Sequence, residues 1–239
     1  MSYIDALQLT RDPFADYVDA VSFFPYKKLT ETVALVRRLV ETTHNVVLIS
    51  SDPRGGKTLL IKQVLAVDEE NWSVCTLSLP TGGKPLRAYT MVREGLPVVM
   101  VDDAHCLEPE ALAALIKLTT DEGEPRQFKQ VILTGLPHTA AILDTLRHLV
   151  PGHDGIQEVP LPPMTLDEMK TYLAGRLRSA GYTDELPLTD GQVMRIHTHS
   201  GGFPGAANAE AAKELAQEYA GQETTPPPKK GLLGRFFKR

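Results

Sequence analysis

The first group of residues that could do chemistry is a glycine pair followed by a lysine and a threonine, Gly55-Gly-Lys-Thr58. It follows an apolar run, Asn45-Val-Val-Leu-Ile-Ser50, whose pattern predicts a strand buried on both faces. Glycines let backbone N–H groups converge on an anion without side-chain clash, and the start of the helix that follows adds partial positive charge. A loop of this kind between a strand and a helix is typical of phosphate binding.

The spacing approaches the phosphate-loop pattern G-x-x-x-x-G-K-[ST], so Lys57 is predicted to reach the β- and γ-phosphates and Thr58 to bind Mg²⁺. Ser51 stands where the first glycine belongs, which puts the curvature of the loop in question. The alternative is a surface loop that only starts a helix. The residues predicted to contact the nucleotide are Ser51, Asp52, Pro53, Arg54, Gly55, Gly56, Lys57 and Thr58.

An acidic pair, Asp102-Asp103, ends the apolar run that begins at Val98. Parallel α/β sheets bind their ligands at the carboxyl ends of strands, where this pair would lie. We predict that Asp102 holds Mg²⁺ through water and that Asp103 orients or deprotonates the attacking water. The second position is commonly glutamate, and aspartate is one methylene shorter, which predicts slow hydrolysis. The alternative is a solvated acidic turn without a role.

Two further residues are predicted to be catalytic. Thr134 ends another predicted strand and could touch the γ-phosphate or the water, although a threonine in a turn before Gly135 is the competing interpretation. Arg147 could serve as an arginine finger for a neighbouring subunit, against the simpler interpretation of an exposed helical arginine. The histidines and the two cysteines show no zinc spacing.

The elements that must position these residues alternate between strands and helices up to about residue 160, which predicts an α/β P-loop fold with helices on both sides of a parallel sheet. The segment from Pro80 to Pro97 is ambiguous: a loop is predicted over Thr81–Pro85, and Leu86–Glu94 could form a short helix. Predicted strands cover 45–50, 72–79, 98–101 and 130–134, and predicted helices cover 29–42, 57–66 and 109–119.

After Val159-Pro-Leu-Pro-Pro163 the pattern is helical only. Capping-box patterns begin at Thr165 and at Thr189, and a last helix is predicted over 206–219. We therefore predict a nucleotide-binding domain over 1–160, a helical subdomain over 161–221, and a proline linker with a basic tail over 222–239.

Composition excludes several classes of protein. The chain has 239 residues, 42% hydrophobic and 23% charged, which is ordinary for a globular protein. Its formal net charge of -5 provides no overall basic field for nucleic acid. Two cysteines favour a reducing compartment, and neither a secretory leader nor a membrane-spanning run is predicted. A cytoplasmic location is expected.

Several segments together resemble the ExeA/GspA-like branch of AAA+ ATPases, and most of all the cytoplasmic ATPase portion of DamX-like proteins that carry a SPOR domain. The resemblance implies an ATP-binding protein that uses Mg²⁺ and acts in secretion, cell-envelope or cell-division assembly through an envelope protein partner, with homo-oligomers that complete their sites between subunits. It covers about residues 10–216, through Asp12-Pro-Phe14, Phe23-Phe24, Gly55–Thr58, Val101–His105, Val131–Gly135 and Ser200–Asn208.

One departure from that branch concerns the last motif, where secretion-type members commonly carry a nucleotide-sensing arginine after the proline. Here that position is Gly205. Together with Ser51 and Asp103, this departure predicts a weak ATPase that binds nucleotide and switches with little turnover.

The last residues, Lys229–Arg239, mix basic residues with Leu232, Leu233, Phe236 and Phe237. As a helix they would place an apolar face among basic heads, which suits an anionic membrane surface and a peripheral contact with the inner membrane. A disordered tail is the equal alternative.

The sequence thus favours a slow Mg²⁺-dependent ATPase that controls an envelope partner. The alternatives are a catalytically degenerate nucleotide-binding adaptor, a small-molecule kinase and, least supported, a nucleic-acid-dependent ATPase. The choice between ATP and GTP stays open, because no base-reading motif is present.

Overall fold

The structure is a computed structural model, and it describes residues 2–15, 26–42, 46–67, 72–78, 87–90, 95–120, 130–150 and 156–220. The predicted proline linker and basic tail lie outside these residues, as do Phe23-Phe24 and the loop at 81–85. In the described part of the chain, no helix is long and apolar enough to cross a membrane.

Eight α-helices lie in the described residues, with two single 3-10 turns at Ala104–Cys106 and Arg147–Leu149. The helices predicted near 29–42, 57–66, 109–119 and 206–219 are confirmed, with ends shifted by at most two residues. The helices are α1 (Tyr3–Ala6), α2 (Lys27–Thr42), α3 (Lys57–Val67), α4 (Pro109–Thr120), α5 (His138–Thr145), α6 (Leu166–Ser179), α7 (Asp190–Ser200) and α8 (Pro204–Tyr219).

Six strands form one sheet in the order β3-β2-β4-β5-β1-β6. Five of them are parallel, and β3 runs antiparallel to β2 at the edge. This architecture confirms the predicted α/β fold with a parallel sheet. The strands are β1 (Val46–Ser50), β2 (Trp72–Ser78), β3 (Arg87–Thr90), β4 (Leu96–Val101), β5 (Gln130–Gly135) and β6 (Gln157–Pro160).

The short helix predicted over Leu86–Glu94 is wrong for its described part, because Arg87–Thr90 is a strand. Its backbone pairs with Cys75–Ser78 of β2, and this cross-strand pairing outweighs the weak local preference for a helix. The edge strand β6 was also not predicted, since four residues ending in a proline carry little strand pattern.

Apolar side chains pack on both faces of the parallel sheet. One core joins β1, β4 and β5 to α4 and α5, and the other joins the opposite face to α2 and α3. Every residue of β1 is buried, as expected for a strand covered on both faces.

A third core belongs to the helical part, α6 to α8. Both capping boxes predicted from sequence are present: Thr165 and Glu168 cap the N-terminus of α6, and Thr189 and Gln192 cap the N-terminus of α7. The N-terminal residues Tyr3 and Phe14 also pack into this core. In the sequence, this N-terminal segment precedes the helix that it contacts by about 160 residues. The division of the chain into domains at residue 160 stays a prediction.

Candidate nucleotide-binding site

The sheet order determines which predicted residues meet. Strand β5 lies between β4 and β1, and all three are parallel, so their carboxyl ends share one edge. The phosphate loop follows β1, Asp102 follows β4, and Thr134 lies near the end of β5. Thr134 is therefore placed between the loop and the acidic pair.

The loop from Ser51 to Gly56 turns tightly before α3 begins at Lys57. Gly56 has φ +92°, in the left-handed region that glycine adopts without strain. Gly55 has a different reason to be glycine, since a Cβ there would lie 2.1 Å from the Ser51 Oγ. The side chain of Ser51 therefore fills space that Gly55 leaves free, which explains how the loop closes with serine at its first position.

Lys57 is 7% exposed, and its ammonium lies within this loop. It donates to the Ser51 carbonyl at 3.0 Å, to the Ser51 Oγ at 3.2 Å and to the Asp52 carbonyl at 3.1 Å. Burial lowers the pKa of Lys57, while the carboxylates of Asp103, Asp102 and Asp52 oppose that shift. The ammonium is thus held at the start of α3 by loop oxygens, and Ser51 supplies two of them.

A hydrogen-bonded group joins the ends of the three strands. The Thr58 Oγ1 donates to the Asp102 Oδ2 at 2.8 Å, and the Thr134 Oγ1 donates to the Asp102 Oδ1. The backbone N–H of Asp103 donates to the Thr134 Oγ1 at 2.8 Å and to the Asp102 Oδ1 at 3.2 Å. The structure therefore brings the side chains of Thr58, Asp102 and Thr134 together.

The donors in this group fit magnesium. Mg²⁺ in nucleotide sites takes oxygen ligands and uses one or two carboxylates together with substrate phosphates and water. Among the residues that the structure describes, no three His, Cys, Asp or Glu side chains converge as a metal site. The hydroxyl of Thr58 beside the carboxylate of Asp102 is therefore the donor set that would hold the ion.

Asp103 is the exposed member of the acidic pair and has φ 55°, an uncommon conformation outside glycine that aspartate tolerates. Its side chain lines the cleft in front of the phosphate loop, where a residue orienting water would be needed. The ring of His105 lies nearby, with its Nδ1 3.9 Å from the Asp103 Oδ1. No role was predicted for His105, because no spacing signal pointed to it.

The cleft has a volume of about 410 Å³ and lies between the phosphate loop and the helical part of the chain. Its second wall comes from α6 and α8, together with Ala15 of the N-terminal segment. The side chains on that wall are Tyr172, Arg176 and Asn208. None of the three was predicted to have a role, because their spacing along the chain is that of ordinary helix positions.

Gly205 closes the contact between the two walls. Its backbone N–H donates to the Arg54 carbonyl at 3.0 Å. A Cβ on Gly205 would lie 2.8 Å from the Arg54 Cβ and 2.9 Å from the Arg54 carbonyl oxygen. A side chain at this position would require the loop to shift, so the close approach of α8 to the loop depends on glycine here.

Arg147 lies apart from this cleft. It is exposed in a 3-10 turn, and its Nε donates to the Asp144 Oδ1 at 2.8 Å. The structure does not place Arg147 beside the phosphate loop of its own chain, and its role towards a neighbouring subunit stays a prediction.

The fold and the phosphate loop together define the class as an α/β P-loop nucleotide-binding architecture. Solved structures with this fold include Cdc6p from Pyrobaculum aerophilum, with a TM-score of 0.56 and 15% identity over 89% of this chain and 67% of that chain. The Walker-type ATPase of Pyrococcus abyssi gives a TM-score of 0.54 with 14% identity over 86% and 75%. The ORC2 protein of Aeropyrum pernix, in its ADPNP–ADP complexes, gives 0.51 with 15% identity over 88% and 66%.

These similarities show that the chain shares its α/β fold with these proteins. The chain spans about two thirds to three quarters of the length of these three chains. No protein-family model matches the chain, and no curated protein matches it in sequence.

Proposed function

We propose that the protein binds ATP with Mg²⁺ in this cleft and hydrolyses it slowly, using the nucleotide state as a switch. The observation that carries the proposal is that Lys57 and Thr58 begin α3 at the sheet edge where Asp102 and Thr134 bond to each other and to Thr58. A lysine, a hydroxyl paired with a carboxylate, and a helix N-terminus at one sheet edge match the requirements of a triphosphate.

Each residue of the site would have a separate role. Lys57 and the N–H groups of the loop bind phosphate oxygens, and Thr58 with Asp102 holds Mg²⁺, which would neutralise charge that develops on the phosphates. Asp103 orients the attacking water from the exposed side of the cleft. Thr134 positions the acidic pair, because its buried hydroxyl is hydrogen bonded to both aspartates.

We infer slow turnover because two side chains that would act on the phosphates or the water are short or absent in this cleft. The side chain of Asp103 is one methylene shorter than glutamate, and Gly205 brings no side chain to the phosphates. A catalytically degenerate adaptor that binds nucleotide without turnover is the second candidate. The close contact of Gly205 with Arg54 favours it, because no charge reaches the cleft from that position.

The biological setting that we propose is cell-envelope, secretion or cell-division assembly. The sequence resemblance described above supports an envelope protein partner, a cytoplasmic location and a homo-oligomer in which Arg147 acts on a neighbouring site. The composition of Lys229–Arg239 supports a peripheral contact with anionic membrane.

The test is a titration with a fluorescent ATP analogue and Mg²⁺, using the wild type, Lys57→Ala and Asp102→Ala. We expect saturable binding by the wild type and a loss of about 100-fold or more in Lys57→Ala. In Asp102→Ala, the Mg²⁺ concentration for half-maximal effect should rise by about 10–100-fold, while Mg²⁺-free binding persists. Absence of binding by a folded wild type would overturn the proposal, and binding without phosphate release would select the adaptor.

A further inference from the structure

The helical wall of the cleft contains one buried carboxamide with an unused donor. Asn208 lies on α8, is 6% exposed and lines the cleft. Its Oδ1 accepts a hydrogen bond from the Tyr172 hydroxyl at 2.9 Å, within the helical core. This bond fixes the orientation of the amide, so its NH₂ group is the part that can reach a ligand.

The Nδ2 atom of Asn208 makes no hydrogen bond with the residues that the structure describes. It is also not enclosed, since the enclosed side-chain polar atoms without a hydrogen bond in those residues are His105 Nδ1 and Thr139 Oγ1. A donor that is fixed in orientation and open on one side can bond to an acceptor that a ligand brings. The open cleft is where that acceptor would come from.

The position of Asn208 along α8 indicates which part of a nucleotide it meets. The first turn of α8 already touches the phosphate loop, through Pro204 against Gly56 and Gly205 against Arg54. Asn208 lies one turn further from the loop, beside Tyr172, Arg176 and Ala15. A nucleotide whose phosphates bind the loop would carry its nucleoside along this wall.

The chemistry of the group supports the same assignment. Phosphate oxygens are provided for by Lys57, the loop amides and the N-terminus of α3. The amide of Asn208 is neutral and has its oxygen in use, so it offers a donor without charge. Such a donor suits a ring nitrogen or a ribose oxygen, which are uncharged acceptors.

We propose that Asn208 donates a hydrogen bond from Nδ2 to the nucleoside of the bound nucleotide and that Tyr172 holds it in position. The proposal rests on nucleotide binding at the phosphate loop and names a specificity residue for that site. It also gives α8 a direct contact with the ligand, which couples the helical part of the chain to the presence of the nucleoside.

The experiment measures the affinity of the full chain for ATP and, by competition, for inorganic tripolyphosphate, which lacks the nucleoside. Asn208→Asp keeps the oxygen that accepts from Tyr172 and replaces the donor with a negatively charged acceptor. We expect Asn208→Asp to weaken ATP binding by about tenfold or more, and more than it weakens tripolyphosphate binding, which the new charge also opposes. Asn208→Ala should weaken ATP binding by about three- to tenfold with tripolyphosphate unchanged. Tyr172→Phe should weaken ATP binding by about threefold, because the amide is then free to rotate.

The matched control is Gln217→Glu, the same amide-to-carboxylate change on the exposed face of α8, which should leave both affinities unchanged. Melting temperatures without nucleotide separate local effects from misfolding, and Asn208→Ala serves if the aspartate variant does not fold. Unchanged ATP affinity in folded Asn208 variants, or equal weakening for ATP and tripolyphosphate, would overturn the proposal. Failure of the wild type to bind ATP, with Lys57→Ala as reference, would instead remove the proposed function.

Discussion

The two walls of the cleft are built in different ways. The phosphate wall takes its loop from one stretch, Ser51–Thr58, and adds Asp102 and Thr134 at neighbouring strand ends. The helical wall collects Ala15, Tyr172, Arg176 and Asn208 through packing in a separate core. The first wall holds the charges for phosphate, and the second combines aromatic and amide groups with the Arg176 guanidinium, which is bonded to backbone carbonyls.

Because of this difference, substitutions in the two walls should have different effects on ligand affinity and on stability. Residues of the phosphate wall are fixed by strands that are buried on both faces, so substitutions there should affect ligand affinity more than stability. Residues of the helical wall are fixed by contacts made across the chain, so substitutions there should affect both. Three substitutions test this difference between the two walls.

The largest effect is expected for Arg176→Ala. Arg176 is 4% exposed, and its guanidinium donates to the Pro13 carbonyl at 2.7 Å and to the Ala15 carbonyl at 3.0 Å. Because hydrogen bonds to charged groups contribute about 1.5–3 kcal/mol each, we expect the free energy of unfolding to fall by about 3 kcal/mol. Urea denaturation measures it, and ATP affinity should fall as Ala15 leaves the cleft.

Arg178→Ala is the control for that experiment, since Arg178 lies on the exposed face of the same helix. It should change stability by no more than about 0.5 kcal/mol. Equal effects of the two substitutions would mean that the N-terminal segment does not depend on Arg176.

A smaller effect is expected for Gly205→Ala, at the contact between the walls. The added Cβ would lie 2.8–2.9 Å from Arg54 atoms, two of the three nearest belonging to the backbone, so the loop and α8 must separate. We expect a loss of about 1–2 kcal/mol in stability together with weaker ATP binding. Calorimetric melting with and without nucleotide measures both.

Gly191→Ala provides a close control, because Gly191 is also the second residue of its helix and a Cβ there meets open space up to Arg195 at 4.0 Å. Alanine should be neutral or stabilise α7 by up to about 1 kcal/mol. If Gly205→Ala behaved like Gly191→Ala, the contact with Arg54 would not constrain the cleft.

The smallest effect is expected for Thr165→Ala, which removes the N-cap of α6 at a distance from the cleft. The Thr165 Oγ1 accepts from the Glu168 N–H at 3.3 Å, and the Glu168 carboxylate accepts from the Thr165 N–H at 2.8 Å. Loss of such a cap costs about 1 kcal/mol. Denaturation should show this loss with ATP affinity unchanged, whereas a change in affinity would show that α6 transmits its stability to the site.

Thr171→Ala is the matched control, because Thr171 is exposed further along the same helix and its hydroxyl bonds back to the Asp167 carbonyl. That substitution should change stability by less than about 0.5 kcal/mol.

The local patterns determined much of the fold. The burial of β1 followed from its continuous apolar run, and both helix caps followed from short-range pairs such as Thr165 with Glu168. These features depend on residues close in sequence, for which pattern and propensity are sufficient. The same holds for Lys57 at the start of a helix.

Pairing between distant strands could not be read from sequence. Arg87–Thr90 forms a strand because its backbone pairs with the edge of β2, and this pairing outweighs a local preference for a short helix. The position of Thr134 between Asp102 and the loop likewise depends on strand order, which no motif encodes.

The sequence by itself determined the phosphate loop, the acidic pair and the alternation of strands and helices, because each is a pattern within a few residues. Other features are visible only in the tertiary structure. Ser51 fills the space left free at Gly55, and Gly205 contacts Arg54. Asn208 lines the cleft. These contacts join segments more than a hundred residues apart, except within the loop. Their geometry exists only after the cores of the sheet and of the helical part have packed, so no local pattern records it.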